Sequence, residues 1–244
     1  MKIKSGLRGN LLARAAREFL AGIGSKADSP FTSIVRNLEE LKVTCVVDIG
    51  ANVGQFGLDV RRHGFQGQII SYEPVRKSFE SLTHTMKQHQ PWKAFQMGLG
   101  TTESELMINV SGNSGLSSSI LEMGSLHLQN FPDSATVAKQ RISISTIDKQ
   151  LEAIGLKPQE IMLKLDVQGF EDEVLKGASK SLSNIPFCYL EVSIYPLYEG
   201  EKPFLPILIE LSNYGHEVID VFRGIKAKDG RLLQLDILTK LHSI

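Results

Sequence analysis

The sequence predicts an α/β fold, a mostly parallel sheet with helices on both faces, preceded by an N-terminal helical extension. Three observations predict it. Apolar runs of strand length, such as Val43–Ile49, Ile161–Leu165 and Phe187–Ser193, alternate with segments of helical periodicity. Those runs are apolar on both sides, so both faces of their sheet need cover. The first run also enters a glycine turn, Asp48-Ile49-Gly50-Ala51-Asn52-Val53-Gly54-Gln55, and an acid, Glu73, ends the next strand.

Residues 1–24 are weakly basic, and apolar residues at helical spacing predict an amphipathic helix over 10–21, able to pack on the main domain or to touch a membrane or partner. Gly22, Gly24, Ser25, Asp28, Ser29 and Pro30 read as a linker. Alternation then begins. A helix is expected over 31–41, a strand over 43–49, a helix over 54–63, a strand over 67–72 and a helix over 76–89. Strands follow over 93–97 and, with alternating polarity, over 105–110. Residues 111–140 are rich in Ser, Gly and Asn and read as a long irregular insert, which in a compact domain is usually functional or mobile. Regular structure resumes with a strand over 142–145, a helix over 147–154 and the strand 161–165. A helix over 171–182, the strand 187–193 and a helix over 204–214 follow. Strands over 217–222 and 232–238 close the chain around a turn at Lys228-Asp229-Gly230.

Composition sets broad limits. The 244 residues are 42% apolar and 22% charged, ordinary for a globular protein. Lys plus Arg and Asp plus Glu both number 27, so there is no phosphate-neutralising excess and no nucleic-acid partner is expected. Cys45 and Cys188 lie in apolar runs and read as buried free thiols. No run of about 18 apolar residues predicts a membrane span, and the N-terminus lacks a signal-peptide block, so a cytoplasmic enzyme is expected. A homo-oligomer stays open.

The turn after the first strand reads G-x-N-x-G. A dinucleotide site uses three spaced glycines to seat a pyrophosphate on the helix N-terminus, and the third is missing here. S-adenosylmethionine carries no phosphate. It needs close backbone approach for its aminoacyl part and an acid for its ribose, a demand that Asp48, Gly50, Asn52, Gly54, Gln55 and Glu73 meet. Pro74 stops the strand and holds Glu73 extended at the carboxyl edge of the sheet, where ligands bind. A second cluster, Lys164-Leu165-Asp166-Val167-Gln168-Gly169-Phe170-Glu171, puts Asp166 at another strand end. There it faces the same crevice or acts only as a turn residue.

The segments VVDIGANVGQF, YEPV, STIDKQL and LKLDVQGFEDEVLKGA, in this order and spacing, resemble the FkbM family of S-adenosylmethionine-dependent methyltransferases over about residues 43–222. The resemblance implies a class I methyltransferase (Rossmann-like) fold, with a seven-stranded sheet whose last strand is antiparallel. It also implies methylation of hydroxyl groups on sugars or polyketide-derived metabolites. By resemblance, Asp48, Gly50, Asn52, Gly54 and Glu73 fall at cofactor positions, and Asp166 and Gln168 at the active crevice. The domain division expected is residues 1–40 as extension and 41–244 as methyltransferase domain.

An alcohol becomes a competent nucleophile when a carboxylate takes its proton. Asp166 is the first candidate for that base and Glu191, ending a buried strand, the second. Lys164, two residues before Asp166 on its strand, is placed to tune that carboxylate. Gln168, the hydroxyls of Ser118 and Ser119 in the insert, and the ring of Tyr195 are the candidates for holding the acceptor. Ser117–Ser119 read equally as plain loop composition, and Tyr195 and Tyr198 as core packing. His63, His84 and His89 are expected to be exposed, and His127 and His216 isolated. No metal-ligand spacing occurs, so no metal is expected. Three alternatives remain: a methyltransferase acting on a macromolecule, a nicotinamide-dependent oxidoreductase, and a non-catalytic module that binds the methionine-derived cofactor.

Overall fold

A computed structural model describes residues 29–242 of the protein. The expected helix over 10–21 lies outside them. The chain runs through α1 (Pro30–Glu40), β1 (Cys45–Ile49), α2 (Gln55–Arg62), β2 (Gln68–Tyr72), α3 (Arg76–Met86), β3 (Trp92–Phe95), β4 (Gly98–Leu99) and β5 (Ser104–Ser111). Then come α4 (Ser125–Asn130), β6 (Thr136–Ser145), α5 (Ile147–Ile154), β7 (Ile161–Leu165), α6 (Glu171–Lys176), β8 (Phe187–Ser193), α7 (Phe204–Asn213), β9 (His216–Arg223) and β10 (Gln234–Leu241).

Seven strands form one sheet in the order β3-β2-β1-β7-β8-β10-β9. Every neighbouring pair is parallel except those of β10, which runs antiparallel to both β8 and β9. This is the class I methyltransferase arrangement. The order reverses between β1 and β7, so the loops after these two strands diverge and open a crevice at their carboxyl ends.

Alternate residues of the strands feed two separate cores. Val47, Ile70, Leu163 and Leu190 pack against α5, α6 and α7 through Ile147, Leu151, Val174, Leu175, Ile207 and Leu211. Val46, Ile69 and Met162 pack against α1, α2 and α3 through Ile34, Leu38, Val60 and Leu82. Each fully buried aliphatic side chain stabilises the fold by about 1.5–3 kcal/mol. The period-two alternation thereby fixes strand register on both faces at once.

Three expectations change. The strand expected over 105–110 lies outside the main sheet: β5 pairs antiparallel with β6 in a small sheet of order β4-β6-β5. Its alternating polarity belongs to a ribbon with one exposed face. The insert is also less irregular than expected, because β6 begins at Thr136 and α4 lies within it. The helix expected over 171–182 ends at Lys176. Gly177 sits so close to Gly100 that a Cβ there would stand 2.1 Å from the Gly100 carbonyl oxygen, and the chain turns away.

Candidate active site

A cavity of about 360 Å³ opens at the crevice between β1 and β7. It is lined by the turn after β1, the ends of β2, β7 and β8, residue Asp236 of β10, and the insert around Gly115–Ile120.

The turn after β1 has a repeating backbone demand. Gly50, Asn52 and Gly54 all adopt positive φ, at 75°, 48° and 94°. Glycine takes this region without strain and asparagine is among the residues that tolerate it best, which accounts for G-x-N-x-G. At Gly50 a Cβ would lie 1.9 Å from the Asp166 carbonyl oxygen, so the turn is closed directly onto the loop after β7.

Glu73 is 5% exposed and lines the cavity. Its Oε2 accepts the Asn52 N–H at 2.8 Å, and its Oε1 accepts the Val75 N–H at 2.8 Å. Burial pushes its carboxyl up to about 7 against the opposing pull of those two N–H groups. The acid therefore fastens the turn after β1 to the end of β2. Asn52 and Gln55 also line the cavity, with Gln55 Oε1 accepting the Val53 N–H at 3.2 Å.

Asp48 is fully buried and lies behind the lining, where it meets Lys164 Nζ at 3.0 Å and accepts the Ser71 hydroxyl at 3.4 Å. Lys164 Nζ also donates to the Gly50 carbonyl at 2.9 Å and stands 3.7 Å from Asp166 Oδ2. Burial alone would lower the Lys164 ammonium, but Asp48, Asp166 and Glu191 outweigh it and hold it raised. Lys164 thus joins the two turns at the switch point by direct contacts.

Asp166, Gln168 and Glu191 come together at the far end. Gln168 Nε2 donates to Asp166 Oδ1 at 2.7 Å and to Glu191 Oε1 at 3.0 Å, while Gln234 Nε2 reaches the same Glu191 oxygen at 2.8 Å. Gln168, at φ 55°, has its Oε1 2.7 Å from the Tyr198 hydroxyl. Glu191 is pushed well above the ordinary carboxylate range, first by burial and then by Asp166, Asp236 and Glu171. The surroundings of Glu191 thus disfavour its anion.

The remaining candidates divide. Ser118 and Ser119 line the cavity, and Ser119 Oγ donates to the Gln168 carbonyl at 2.6 Å. Tyr195 is not among the lining residues; the Arg231 guanidinium covers its ring at 5.7 Å. Tyr198 is buried. His63 and His84 are exposed, but His127 and His216 are buried, the latter contacting Thr239 and the Leu182 carbonyl. Cys45 and Cys188 are free and buried. Among the described residues, no group of three or more His, Cys, Asp or Glu side chains could hold a metal ion, and no helix is long and apolar enough to cross a membrane.

Sequence reasoning missed Asp236. It lines the cavity directly opposite Glu191 in the antiparallel register of β8 and β10. Its signal was a single acid inside the apolar run Leu232–Leu238. Burial pushes its carboxyl up to about 6, with the Tyr189 hydrogen bond acting the other way.

Known methyltransferases are similar to this chain. The methyltransferase FkbM domain matches residues 48–219. The 2-O-methyltransferase NoeI of Sinorhizobium fredii is 26% identical over 237 residues, 92% of this chain and 93% of that protein. Methyltransferase 1 of Beauveria bassiana is 28% identical over 143 residues, 54% of this chain and 57% of that protein. Among solved structures, an rRNA methylase from Streptococcus thermophilus is 7% identical with a TM-score of 0.49, covering 90% of this chain and all of that one.

Proposed function

This chain belongs to the FkbM methyltransferase family, and on that premise we propose that it transfers a methyl group from S-adenosylmethionine to a hydroxyl of a sugar or of a glycosylated or polyketide-like metabolite. The observation that carries the reading is the one cavity shared by Gly50, Ala51 and Asn52 of the turn, Glu73 and Asp166; Gly54 of that turn lies outside the lining, against Leu82 and Trp92. The residues suit the cofactor: a backbone that no side chain could occupy at Gly50, and an acid at the end of β2 for ribose hydroxyls.

The bound cofactor supplies a methyl group already activated on sulfur, which leaves the protein chiefly the task of positioning. Asp166 accepts the hydroxyl proton as the new bond forms. Gln168 holds Asp166 in place from one side and Lys164 from the other. Ser118, on the insert, offers its hydroxyl to the acceptor, and Ser119 ties the insert to the Gln168 carbonyl. The insert is the natural seat of acceptor choice, since loops carry specificity on a rigid scaffold.

Incubation with methyl-labelled cofactor and pools of saccharides, polyketide glycosides, RNA and protein tests the reading, with and without chelator. Label is expected in a saccharide or glycoside pool and is expected to survive chelation. Label in RNA or protein alone would overturn the small-molecule acceptor. Loss with chelator and restoration by magnesium would overturn the metal-free reaction.

A further inference from the structure

The acceptor end of the cavity has a charge imbalance. Among the described lining residues, Lys164 is the only cation, and it is already committed to Asp48, the Gly50 carbonyl and Asp166. The acids lining it are Asp166, Glu191, whose anion burial disfavours, and Asp236, on or just after three adjacent strands, and Asp59 on α2, which is paired with Arg62 at 2.7 Å. The Glu191 Oε1 and Asp166 Oδ1 atoms are taken by the Gln168 and Gln234 amides. Asp236 has the Tyr189 hydrogen bond and makes no ion pair among the described residues; the Lys164 ammonium acts on it only as a weaker charge at longer range. A row of rings leads to this corner. Phe31 lies 5.6 Å from Phe56, and Phe56 5.4 Å from Tyr189, centroid to centroid, and all three line the cavity.

We propose that Asp236, with the ring faces of Phe31, Phe56 and Tyr189, reads a second hydrogen-bond donor on the acceptor, a further sugar hydroxyl or an amino group, and excludes phosphorylated or carboxylated acceptors. The inference rests on the methyltransferase reading of the cavity and makes Asp236 a specificity-determining residue. Ring faces suit the apolar face of a pyranose or an ammonium group. A carboxylate lacking a cationic partner accepts a donor well and repels an anion.

The test uses the full chain loaded with S-adenosylhomocysteine, with methyl glucoside, glucosamine and glucose 6-phosphate as probes in saturation-transfer NMR. Signals are expected from the first two and not from the phosphate. Asp236→Asn is expected to weaken glucosamine binding by about tenfold, the size of one charge-assisted hydrogen bond, with S-adenosylhomocysteine affinity within about twofold. Should that variant fail to hold S-adenosylhomocysteine, Phe31→Leu replaces it, and loss of sugar signal is expected there. Equal signals from glucose 6-phosphate and glucosamine, no sugar signal from the loaded wild-type protein, or glucosamine binding unchanged in the variant used would each overturn the inference. Failure of the wild-type protein to bind S-adenosylhomocysteine would instead defeat the methyltransferase reading beneath it.

Discussion

Glu73 has two tasks that pull in opposite directions. It ties the Asn52 and Val75 N–H groups together, and in the proposed function its anion accepts the ribose hydroxyls. Because burial raises its carboxyl to about 7, it is protonated below that pH and anionic above it. Ligand hydroxyls favour the anion, so cofactor affinity rises with pH. Calorimetry from pH 5.5 to 8.5 should show S-adenosylhomocysteine binding fall by about tenfold per unit below a midpoint near 7, a dependence that Glu73→Gln removes. Glu73→Ala should weaken the cofactor by about 1.5–3 kcal/mol. It should also lower stability by about 1–3 kcal/mol, because two N–H groups lose their acceptor. That stability cost is visible only in the structure; sequence alone shows an acid at a strand end. Asp166→Asn should keep the fold and cofactor affinity while turnover drops by about a hundredfold or more, read in single-turnover methyl transfer. A near wild-type rate would remove Asp166 as the base.

At the scale of elements, the switch point is held by the buried pair Asp48–Lys164, with side chains 0% and 4% exposed. Lys164→Met leaves Asp48 buried without its cation and should cost about 3–5 kcal/mol in urea denaturation. Adding Asp48→Asn should recover part of that loss, and an additive double variant would contradict the pairing. Strands β7 and β8 and helix α5 were legible to the residue, because each is an uninterrupted apolar or amphipathic run with clear ends. The end of α6 was not. Apolar spacing continues through Ala178 and Leu182, both buried, but Asp148 of α5 donates its N–H to the Gly177 carbonyl and accepts the Lys180 and Ser181 N–H groups, contacts that come from a distant element. Asp236 escaped for a similar reason: its partner Glu191 is set by the register of β8 and β10, which no local pattern encodes. The burial of His127 and His216 likewise depends on contacts distant in sequence.

At the scale of the whole molecule, the sheet order brings residues from opposite ends of the chain to one cavity. Phe31 of α1 and Asp236 of β10 both line it, with the β1 turn and β7 end between them. The insert from 111 to 140 covers the site through Gly115–Ile120, supported by the β5–β6 ribbon. In the proposed function this cavity takes a methionine-derived adenosine cofactor and not a nicotinamide dinucleotide. Titration calorimetry of the purified chain with S-adenosylmethionine, S-adenosylhomocysteine and a nicotinamide dinucleotide tests it most directly. Low-micromolar binding of the first two, about −8 kcal/mol, and no heat from the third are expected. Heat from the dinucleotide, with none from either methionine-derived ligand, would contradict it.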